Sequence, residues 1–310
     1  MTDTNNLGIL NGHAVGIIMK ELVRRAMVAI RNEKQAFEVH PKVGYGGQLD
    51  DMLTSADAAA QKVYIRSLKE CFPQWGIVAE EDSLIVPCTD GTDTFFTVDP
   101  LDGTKAFVRG QSHGVGTMIS LSRGTEFLSA YVGDVNTLEI YGFRPGSRRV
   151  HRISEFNVSK ELSIEPKPLR IQYLLLRDPE NDYCPLSRRL IHAGFKSVCT
   201  DGGSIGTWCA RLWKGEVGAL LLHPNKGNAA TPWDENPVNA ISRKLGFVSL
   251  RPSDDGTRWV QFESKPLNVI STCAHDTLVV HECNVGEIIC GEDQKWLLSK
   301  AAIESAHFGG

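Results

Sequence analysis

The stretch Val98-Asp99-Pro100-Leu101-Asp102-Gly103-Thr104-Lys105-Ala106-Phe107 is the most informative part of this chain. The aromatic and β-branched residues 94–98 predict a buried strand, and the proline and glycine that follow favour a turn. Asp99 and Asp102 would then project from the strand end, beside the backbone amides of a helix start. Hard divalent cations such as Mg2+ bind carboxylate oxygens, and helix-start N–H groups bind phosphate. The stretch therefore predicts a site that holds metal and phosphate together.

The composition is that of an ordinary globular protein, with 310 residues, 42% hydrophobic and 23% charged. This length suffices for one large or two mid-sized domains. The formal net charge of −4 gives no indication of a basic surface for a nucleic acid polymer or an anionic membrane. An anionic substrate would therefore have to be attracted by locally bound cations.

The cysteines and the N-terminus favour a soluble, cytoplasmic protein. The eight cysteines are scattered without a Cys-x-x-Cys pair, which favours free buried thiols in a reducing compartment. Residues 1–12 are polar with few basic residues, and no apolar run is long enough to cross a membrane. His113, His192 and His223 lack metal-ligand spacing and are interpreted as ordinary histidines.

Apolar spacing predicts a long amphipathic helix over residues 12–37 and a second helix that Thr54 and Ser55 begin and Pro73 ends. A short strand at residues 77–79 is followed directly by three acidic residues. Antiparallel strands are predicted next, at residues 114–121, 127–132 and 137–143.

The pattern changes after a polar, charged stretch at residues 144–167, and strands then alternate with helices. This change predicts two subdomains. Residues 1–165 would form an N-terminal α+β unit with the metal-binding motifs, and residues 166–310 a C-terminal α/β unit that completes the site. The predicted C-terminal elements are strands at 171–175, 195–199 and 217–222 and helices at 185–192, 204–213, 232–245 and 293–305.

Four blocks of sequence resemble the inositol monophosphatase superfamily of Mg2+-dependent, lithium-sensitive phosphomonoesterases. They are Asp51-Met52-Leu53-Thr54-Ser55-Ala56-Asp57, Val78-Ala79-Glu80-Glu81-Asp82, the opening stretch, and Pro232-Trp233-Asp234. A fifth, weaker block is Gly203-Ser204 before a helix with Ala and Trp. The resemblance covers roughly residues 51–247. It implies an α/β (α+β) layered sandwich of the sugar-phosphatase type, with alternating helix and sheet layers, and a homodimer.

The resemblance also implies two or three Mg2+ ions per site. Glu80, Asp99 and the Leu101 carbonyl would hold one ion, and Asp99, Asp102 and Asp234 a second, so that Asp99 bridges the pair. Two neighbouring cations suit in-line displacement at phosphorus, because they activate water and stabilise the leaving oxygen. Taken alone, Asp234 would be interpreted as a helix N-cap.

The implied catalytic set is Asp57, Thr104 and Glu80. Asp57 and Thr104 resemble the pair that orients and deprotonates the attacking water in the nucleotidase and inositol polyphosphate branches. The alternative for Asp57 is a first-turn carboxylate that offsets its helix dipole. Glu81 is expected to hydrogen-bond to residues around the metal ions rather than to bind an ion itself. The alternative is that Glu81 is a ligand of a third metal ion.

The implied substrate contacts are Gly103, Thr104, Ser204 and Asp234. The backbone N–H groups of Gly103 and Thr104 are expected to bind the phosphate. For Ser204 the alternative is a simple helix start. A serine hydrolase is disfavoured because Ser204 lacks the Gly-x-Ser-x-Gly context.

The chain departs from the inositol branch at several positions. Residues 104–107 read Thr-Lys-Ala-Phe where that branch has Thr-Thr-Asn-Phe, and Gly227 stands where it has a substrate-binding glutamate. Glu80-Glu81-Asp82 is similar to the corresponding segment of the 3′(2′),5′-bisphosphate nucleotidases. Residues 116–121 are similar to the histidinol-phosphate phosphatases. After Asp234, residues 235–238 differ from the small residues that the family usually has there.

We therefore expect a metal-dependent phosphoric monoester hydrolase for a small phosphorylated metabolite, with a 3′(2′),5′-bisphosphonucleotide slightly ahead of inositol, sugar or histidinol phosphates. The alternative from another class is a non-catalytic phosphometabolite-binding protein.

Overall fold

The computed structural model describes Leu7, residues 11–49 and residues 51–289. The helix predicted at residues 293–305 and Cys290 lie outside these residues. The helices over the described chain are α1 (Gly12–Glu33), α2 (Ser55–Cys71), α3 (Thr104–Val108), α4 (Pro185–Ala193), α5 (Ile205–Trp213), α6 (Pro232–Lys244) and α7 (Val285–Ile289).

The strands up to residue 161 are β1 (Val39–Lys42), β2 (Asp51–Thr54), β3 (Gly76–Ala79), β4 (Ile85–Val86), β5 (Thr94–Asp102), β6 (Gly116–Arg123), β7 (Glu126–Asp134), β8 (Glu139–Phe143), β9 (His151–Ile153) and β10 (Ser159–Glu161). Those that follow are β11 (Tyr173–Leu176), β12 (Ser197–Thr200), β13 (Ala219–Leu222), β14 (Ala229–Ala230), β15 (Phe247–Pro252), β16 (Trp259–Phe262), β17 (Ser271–Thr272) and β18 (Thr277–His281).

Two large mixed sheets organise these strands. The first has eight strands in the order β10-β9-β8-β7-β6-β5-β3-β4, and only its β3–β5 pair is parallel among the described residues. The second has six strands in the order β12-β11-β13-β18-β15-β16. Two small sheets, β1–β2 and β14–β17, lie outside them.

Three apolar clusters show how helices and sheets are layered. Helices α1 and α2 pack on one face of the first sheet, where Met27 and Tyr64 meet Phe96. Helices α5 and α6 share a core with both sheets and so lie between them. Helix α4 packs on the outer face of the second sheet. Alternating helix and sheet layers were predicted, and the structure confirms them.

Local sequence accounts for the first two helices. Asn11 caps α1, because its side chain accepts a hydrogen bond from the Ala14 amide at 2.9 Å. Helix α2 begins with a capping box in which Thr54 and Asp57 bond each other's backbone amides. The structure therefore confirms both predicted helices, although α1 ends at Glu33 rather than near residue 37.

Some elements differ from the sequence expectations. The stretch at residues 144–167 contains the short strands β9 and β10. The residues of β10 are exposed, only Ile153 of β9 is buried, and neither strand has an apolar pattern. Strand β5 continues to Asp102 rather than ending at Val98. The first sheet uses residues 76–161 and the second residues 173–281; the division into subdomains at residue 165 stays a prediction.

The described cysteines form no disulfide, and only Cys209 among them is buried. The expectation of buried thiols is therefore wrong for the others in this part of the chain. Among the described helices, none combines the length and the apolar character needed to cross a membrane.

Candidate metal and phosphate site

Two parallel strands deliver the first carboxylates. Strands β3 and β5 run side by side, with Ala79 opposite Val98. The residues that follow, Glu80 and Asp99, therefore emerge next to each other at the same edge of the sheet. The Glu80 amide donates a hydrogen bond to the Val98 carbonyl at 3.2 Å, which continues this pairing.

An irregularity in β5 brings Asp102 to the same place as Asp99. The register between β5 and β6 shifts between these two residues. In a regular strand, residues three apart point to opposite faces of the sheet. The irregularity changes that phase, as β-bulges do. Pro100 is tolerated there because the local ladder is already interrupted.

Helix α6 adds a fourth carboxylate, that of Asp234. Asp234 lies in the first turn of α6, and its Oδ2 accepts a short hydrogen bond from the Thr231 hydroxyl. Asp99, Asp102 and Asp234 each offer one oxygen, and these oxygens lie within 4.8 Å of one another. Three acidic groups so close together call for a cation, because like charges in a buried site repel.

Electrostatics at this cluster are unfavourable without a cation. Burial and the neighbouring carboxylates raise the pKa of Asp99 well above its ordinary value. Burial, followed by repulsion from Asp234, raises the pKa of Asp102 to about 7. Asp99 Oδ1 is buried without a hydrogen-bond partner in the described chain. Buried acceptors are rarely left unpaired, so a divalent cation fits this oxygen-only set of donors.

Asp102 is fixed by the start of helix α5. Its Oδ1 accepts from the Ile205 amide at 3.0 Å and its Oδ2 from the Gly206 amide at 2.7 Å. The Ser204 hydroxyl donates a short hydrogen bond to Oδ2. Ser204 is buried and does not line the cavity beside the cluster. Its hydroxyl thus positions Asp102 and caps α5, which agrees with the alternative that Ser204 is a helix start. Contact between Ser204 and the substrate stays a prediction.

Ser204→Ala is expected to lower the free energy of unfolding by about 1–2 kcal/mol, because α5 loses its cap and Asp102 loses a donor. Chemical denaturation of the metal-free protein measures this loss. Ser147→Ala, which removes an exposed serine hydroxyl bonded to the Arg149 backbone, is the control. Equal stability of the Ser204 variant and the control would contradict the assigned role.

Asp57 and Thr104, which the resemblance pairs, lie within hydrogen-bond distance of each other. Asp57 Oδ2 accepts from the Thr54 amide at 2.7 Å, while the Thr104 hydroxyl lies 3.2 Å from Oδ1. The same hydroxyl lies 3.1 Å from the Leu101 carbonyl, so its single proton can go to either acceptor. Asp57 is fully buried behind Thr104. The Asp57 carboxylate therefore accepts hydrogen bonds both in the cap of α2 and from Thr104. A part of Asp57 and Thr104 in catalysis stays a prediction.

Lys42 is a site residue that the sequence analysis missed. Its ammonium lies 3.2 Å from Glu80 Oε1 and 3.0 Å from Glu81 Oε2. Lys42 reaches them from strand β1, where it pairs with Asp51 of β2. Lys42 could have been found from sequence only by predicting the short β1–β2 hairpin at the first motif block. The polar residues of this hairpin show no strand periodicity, so the sequence does not predict it. Lys42 balances part of the acidic charge and pairs with Glu81.

Lys42→Gln is expected to lower the stability of the metal-free protein by about 2 kcal/mol, because the buried Glu81 carboxylate loses its charged partner. Removing this positive charge should also strengthen Mg2+ binding, which isothermal titration calorimetry measures. Lys62→Gln on the exposed side of α2 serves as the control. Weaker Mg2+ binding by the Lys42 variant would contradict this electrostatic account.

The acidic cluster opens into a cavity of about 1030 Å³. The predicted site residues that line it are Glu80, Asp99, Leu101, Asp102, Gly103, Thr104 and Asp234. Asp57 and Ser204 lie behind this wall. Gly103 has φ +90°, and a Cβ there would lie 2.3 Å from the Gly114 carbonyl oxygen, so only glycine fits. Phosphate binding by the amides of residues 103 and 104 stays a prediction.

The far wall of the cavity comes from the second sheet. Arg177 donates to Asp178 and Asn225, each at 2.7 Å, and to the His223 carbonyl. His223, interpreted as ordinary from sequence, lines the cavity and lies 2.9 Å from the buried Asp276 through Nδ1. Apart from the contact between Arg177 and Asp178, these contacts join residues far apart in sequence, so no sequence motif indicates them.

Comparison with known proteins shows which family this chain resembles. A model described as the inositol monophosphatase family matches residues 13–174. The Nus factor SuhB of Pseudomonas aeruginosa is 28% identical over 108 residues, 35% of this chain and 35% of that protein. The inositol monophosphatase of Mesembryanthemum crystallinum is 33% identical over 91 residues, 29% of this chain and 32% of that protein. The chain thus matches about a third of the length of these relatives.

Solved structures share the fold over most of the chain. An IMPase/NADP phosphatase complexed with NADP and Ca2+ has a TM-score of 0.67 at 16% identity, covering 89% of this chain and 93% of that chain. The IMPase of Thermotoga maritima has a TM-score of 0.64 at 16% identity, covering 91% and 96%. The likeness confirms the predicted fold class.

Proposed function

The chain belongs to the inositol monophosphatase family, and we propose that it is a Mg2+-dependent phosphomonoesterase that hydrolyses a small phosphorylated metabolite. The observation that carries this proposal is the convergence of Asp99, Asp102 and Asp234, with one oxygen of each within 4.8 Å of the others. Glu80 stands beside Asp99 on the neighbouring strand. The family and the phosphatases among its structural neighbours support the same reaction class.

The donor set fits hard divalent cations. Glu80, Asp99 and the Leu101 carbonyl would hold one Mg2+, and Asp99, Asp102 and Asp234 a second; a third remains part of the proposal. The unpaired buried oxygen of Asp99 supports a bridging position for this residue. Bound divalent ions supply positive charge that stabilises the charge developing at phosphorus and make a nearby water molecule more acidic.

Asp57 and Thr104 are proposed to move the proton of the attacking water. Thr104 Oγ1 accepts that proton as it passes its own to Asp57 Oδ1, 3.2 Å away. Burial raises the pKa of Asp57, which favours proton acceptance. The amides of Gly103 and Thr104, at the start of α3, would hold the phosphate. Asp234 would contact the substrate from the opposite side of the cavity.

The proposed substrate is a 3′(2′),5′-bisphosphonucleotide. Structural neighbours are described with NADP and with 2′-AMP, which supports a nucleotide phosphate. Glycine at position 227 further disfavours an inositol substrate, because the glutamate of the inositol branch is missing. The same proposal includes inhibition by Li+, a homodimer and a cytoplasmic location. It also includes the absence of nucleic acid and membrane partners.

A second candidate function is binding of a phosphorylated metabolite without catalysis. The relatives named Nus factor SuhB, rather than phosphatase, favour keeping it. The complete set of carboxylates in this chain argues against it, since loss of a ligand is the simplest way to silence such a site.

A phosphate-release screen with Mg2+ separates the two functions. The panel contains 3′,5′-bisphosphonucleotides, inositol phosphates, histidinol phosphate and sugar phosphates, with chelator and Li+ as inhibitors. We expect Mg2+-dependent release that Li+ suppresses. Saturable binding across the panel without any release would support the non-catalytic function instead.

A further inference from the structure

The turn between β1 and β2 borders the cavity that contains the acidic cluster. Residues 43–48, here called the Tyr45 turn, are closed by hydrogen bonds from the Gly44 amide to the Gln48 carbonyl and from the Gly47 amide to the Gly44 carbonyl, both 2.8 Å. Tyr45 lines the same cavity as Glu80, Asp99 and Asp234. Its side chain is thus placed at the mouth of the proposed active site.

Gly227 lets this turn approach the cavity. The residue has φ +76°, and a Cβ there would lie 2.3 Å from the Tyr45 carbonyl oxygen and 2.8 Å from its carbonyl carbon. Backbone atoms cannot give way as the end of a flexible side chain can. Any side chain at position 227, including the glutamate of the inositol branch, would therefore push the Tyr45 turn away.

The segment that carries Gly227 is itself fixed on the second sheet's side of the cavity. The Cys273 amide donates to the Asn228 carbonyl at 2.7 Å, next to the pairing of β14 with β17. Arg177 donates to Asn225 at 2.7 Å. The Tyr45 turn therefore rests on a supported surface, which favours one defined position for its aromatic ring.

We propose that Tyr45 is a specificity-determining residue that stacks on a planar, aromatic leaving group, and that Gly227 positions it. This inference rests on the proposed phosphatase function. A glutamate at position 227 would accept hydrogen bonds from a polyol, whereas this chain offers an aromatic face and one hydroxyl. An aromatic face stacks on a nucleobase with an effect of about tenfold to hundredfold on binding. The substrate class is therefore a nucleoside phosphate rather than a cyclitol or open-chain phosphate.

Tyr45→Ala and Tyr45→Phe test the ring and the hydroxyl separately. The probes are adenosine 3′,5′-bisphosphate and inositol 1-phosphate, and the readout is the ratio of their kcat/KM values. Tyr45→Ala should lower this ratio by about tenfold or more, through KM for the nucleotide. Tyr45→Phe keeps the stacking face and should retain the preference for the nucleotide. An unchanged ratio in Tyr45→Ala, or a wild-type preference for inositol 1-phosphate, overturns the proposal.

Gly227→Ala tests the positioning contact, and Gly91→Ala is its matched control. Gly91 has φ +72°, but an added Cβ there meets no atom within 4 Å. Both variants carry the same backbone strain, and only Gly227→Ala should reproduce the loss of nucleotide preference. In the Tyr45→Ala background, Gly227→Ala should add little further loss. Full additivity of the two changes would contradict the positioning role.

Calorimetric binding of adenosine 5′-monophosphate, with Mg2+ present, separates this inference from the proposed function. If no phosphate is released from any substrate but Tyr45→Ala still weakens nucleotide binding about tenfold, the proposed function fails, and Tyr45 is left as a residue that stacks on a bound nucleotide. If phosphate is released and Tyr45→Ala leaves nucleotide binding unchanged, the inference fails alone. Absence of any nucleotide binding by the wild type overturns the inference.

Discussion

Replacing Asp99 or Asp234 by asparagine is expected to reduce Mg2+-dependent phosphate release by about 10³-fold or more, which corresponds to about 4 kcal/mol of transition-state stabilisation. Asparagine keeps the shape of the side chain but removes the negative charge and one anionic oxygen. Asp99 should be the more sensitive position, because it is proposed to bridge two cations. The measurement is phosphate release at saturating Mg2+ with the best substrate of the screen.

Folding controls distinguish lost chemistry from lost structure. Asp99→Asn should raise the thermal midpoint of the metal-free protein, since it removes an ionisable group whose pKa is raised by burial and by the neighbouring carboxylates. Asp254→Asn changes an aspartate whose side chain is 92% exposed, and it should leave activity intact. Activity retained in both Asp99→Asn and Asp234→Asn would rule out the proposed metal site.

Stability of the metal-free protein is expected to fall as the pH rises from 5 to 8. The pKa of Asp102 is raised from an ordinary 3.8 to about 7 in the folded state. Between these values the folded chain binds more protons than the unfolded chain, so the free energy of unfolding decreases with increasing pH. Between pH 5 and pH 8, Asp102 alone accounts for an effect of about 3 kcal/mol. Differential scanning calorimetry of the wild type and Asp102→Asn measures its share.

Mg2+ should reverse this loss at pH 8. An ion at one hundred times its dissociation constant adds about 2.7 kcal/mol, which for a chain of 310 residues corresponds to a rise of roughly 4 °C in the thermal midpoint. Protons compete for the same carboxylates at pH 5.5, so the rise should be smaller there. An equal or larger effect of Mg2+ at pH 5.5 would contradict the assignment of these carboxylates as ligands.

Residues within one element or its immediate end were predictable from sequence. The strand at residues 94–98 and the helix start at Thr104 follow from alternation and turn chemistry, and β5 and α3 are observed there, although β5 continues through the predicted turn to Asp102. The capping residue Thr54 and the first-turn position of Asp57 follow in the same way. Such patterns depend on residues close together in the chain, so a single sequence is enough to predict them.

Contacts between distant segments were predictable only where the family motifs implied them, as for Asp99 and Asp234. Lys42 and Tyr45 belong to a polar hairpin that reaches the site only because β2 leads into α2. Ser204 was open to two interpretations, since its partner Asp102 belongs to another element. The departure at Gly227 was visible, but its steric reason depends on the Tyr45 backbone across the cavity.

The placement of α6 between the two sheets has a consequence for how the protein folds. Asp99 and Asp234 are well over one hundred residues apart in sequence, so their meeting requires the chain to close a long loop. Pairings of this range form slowly compared with helices and hairpins. A chain that has completed only its first sheet would contain Glu80, Asp99 and Asp102 but lack the carboxylate that faces them. Refolding molecules should therefore acquire tight Mg2+ affinity only in the last kinetic phase, when the middle helix layer docks.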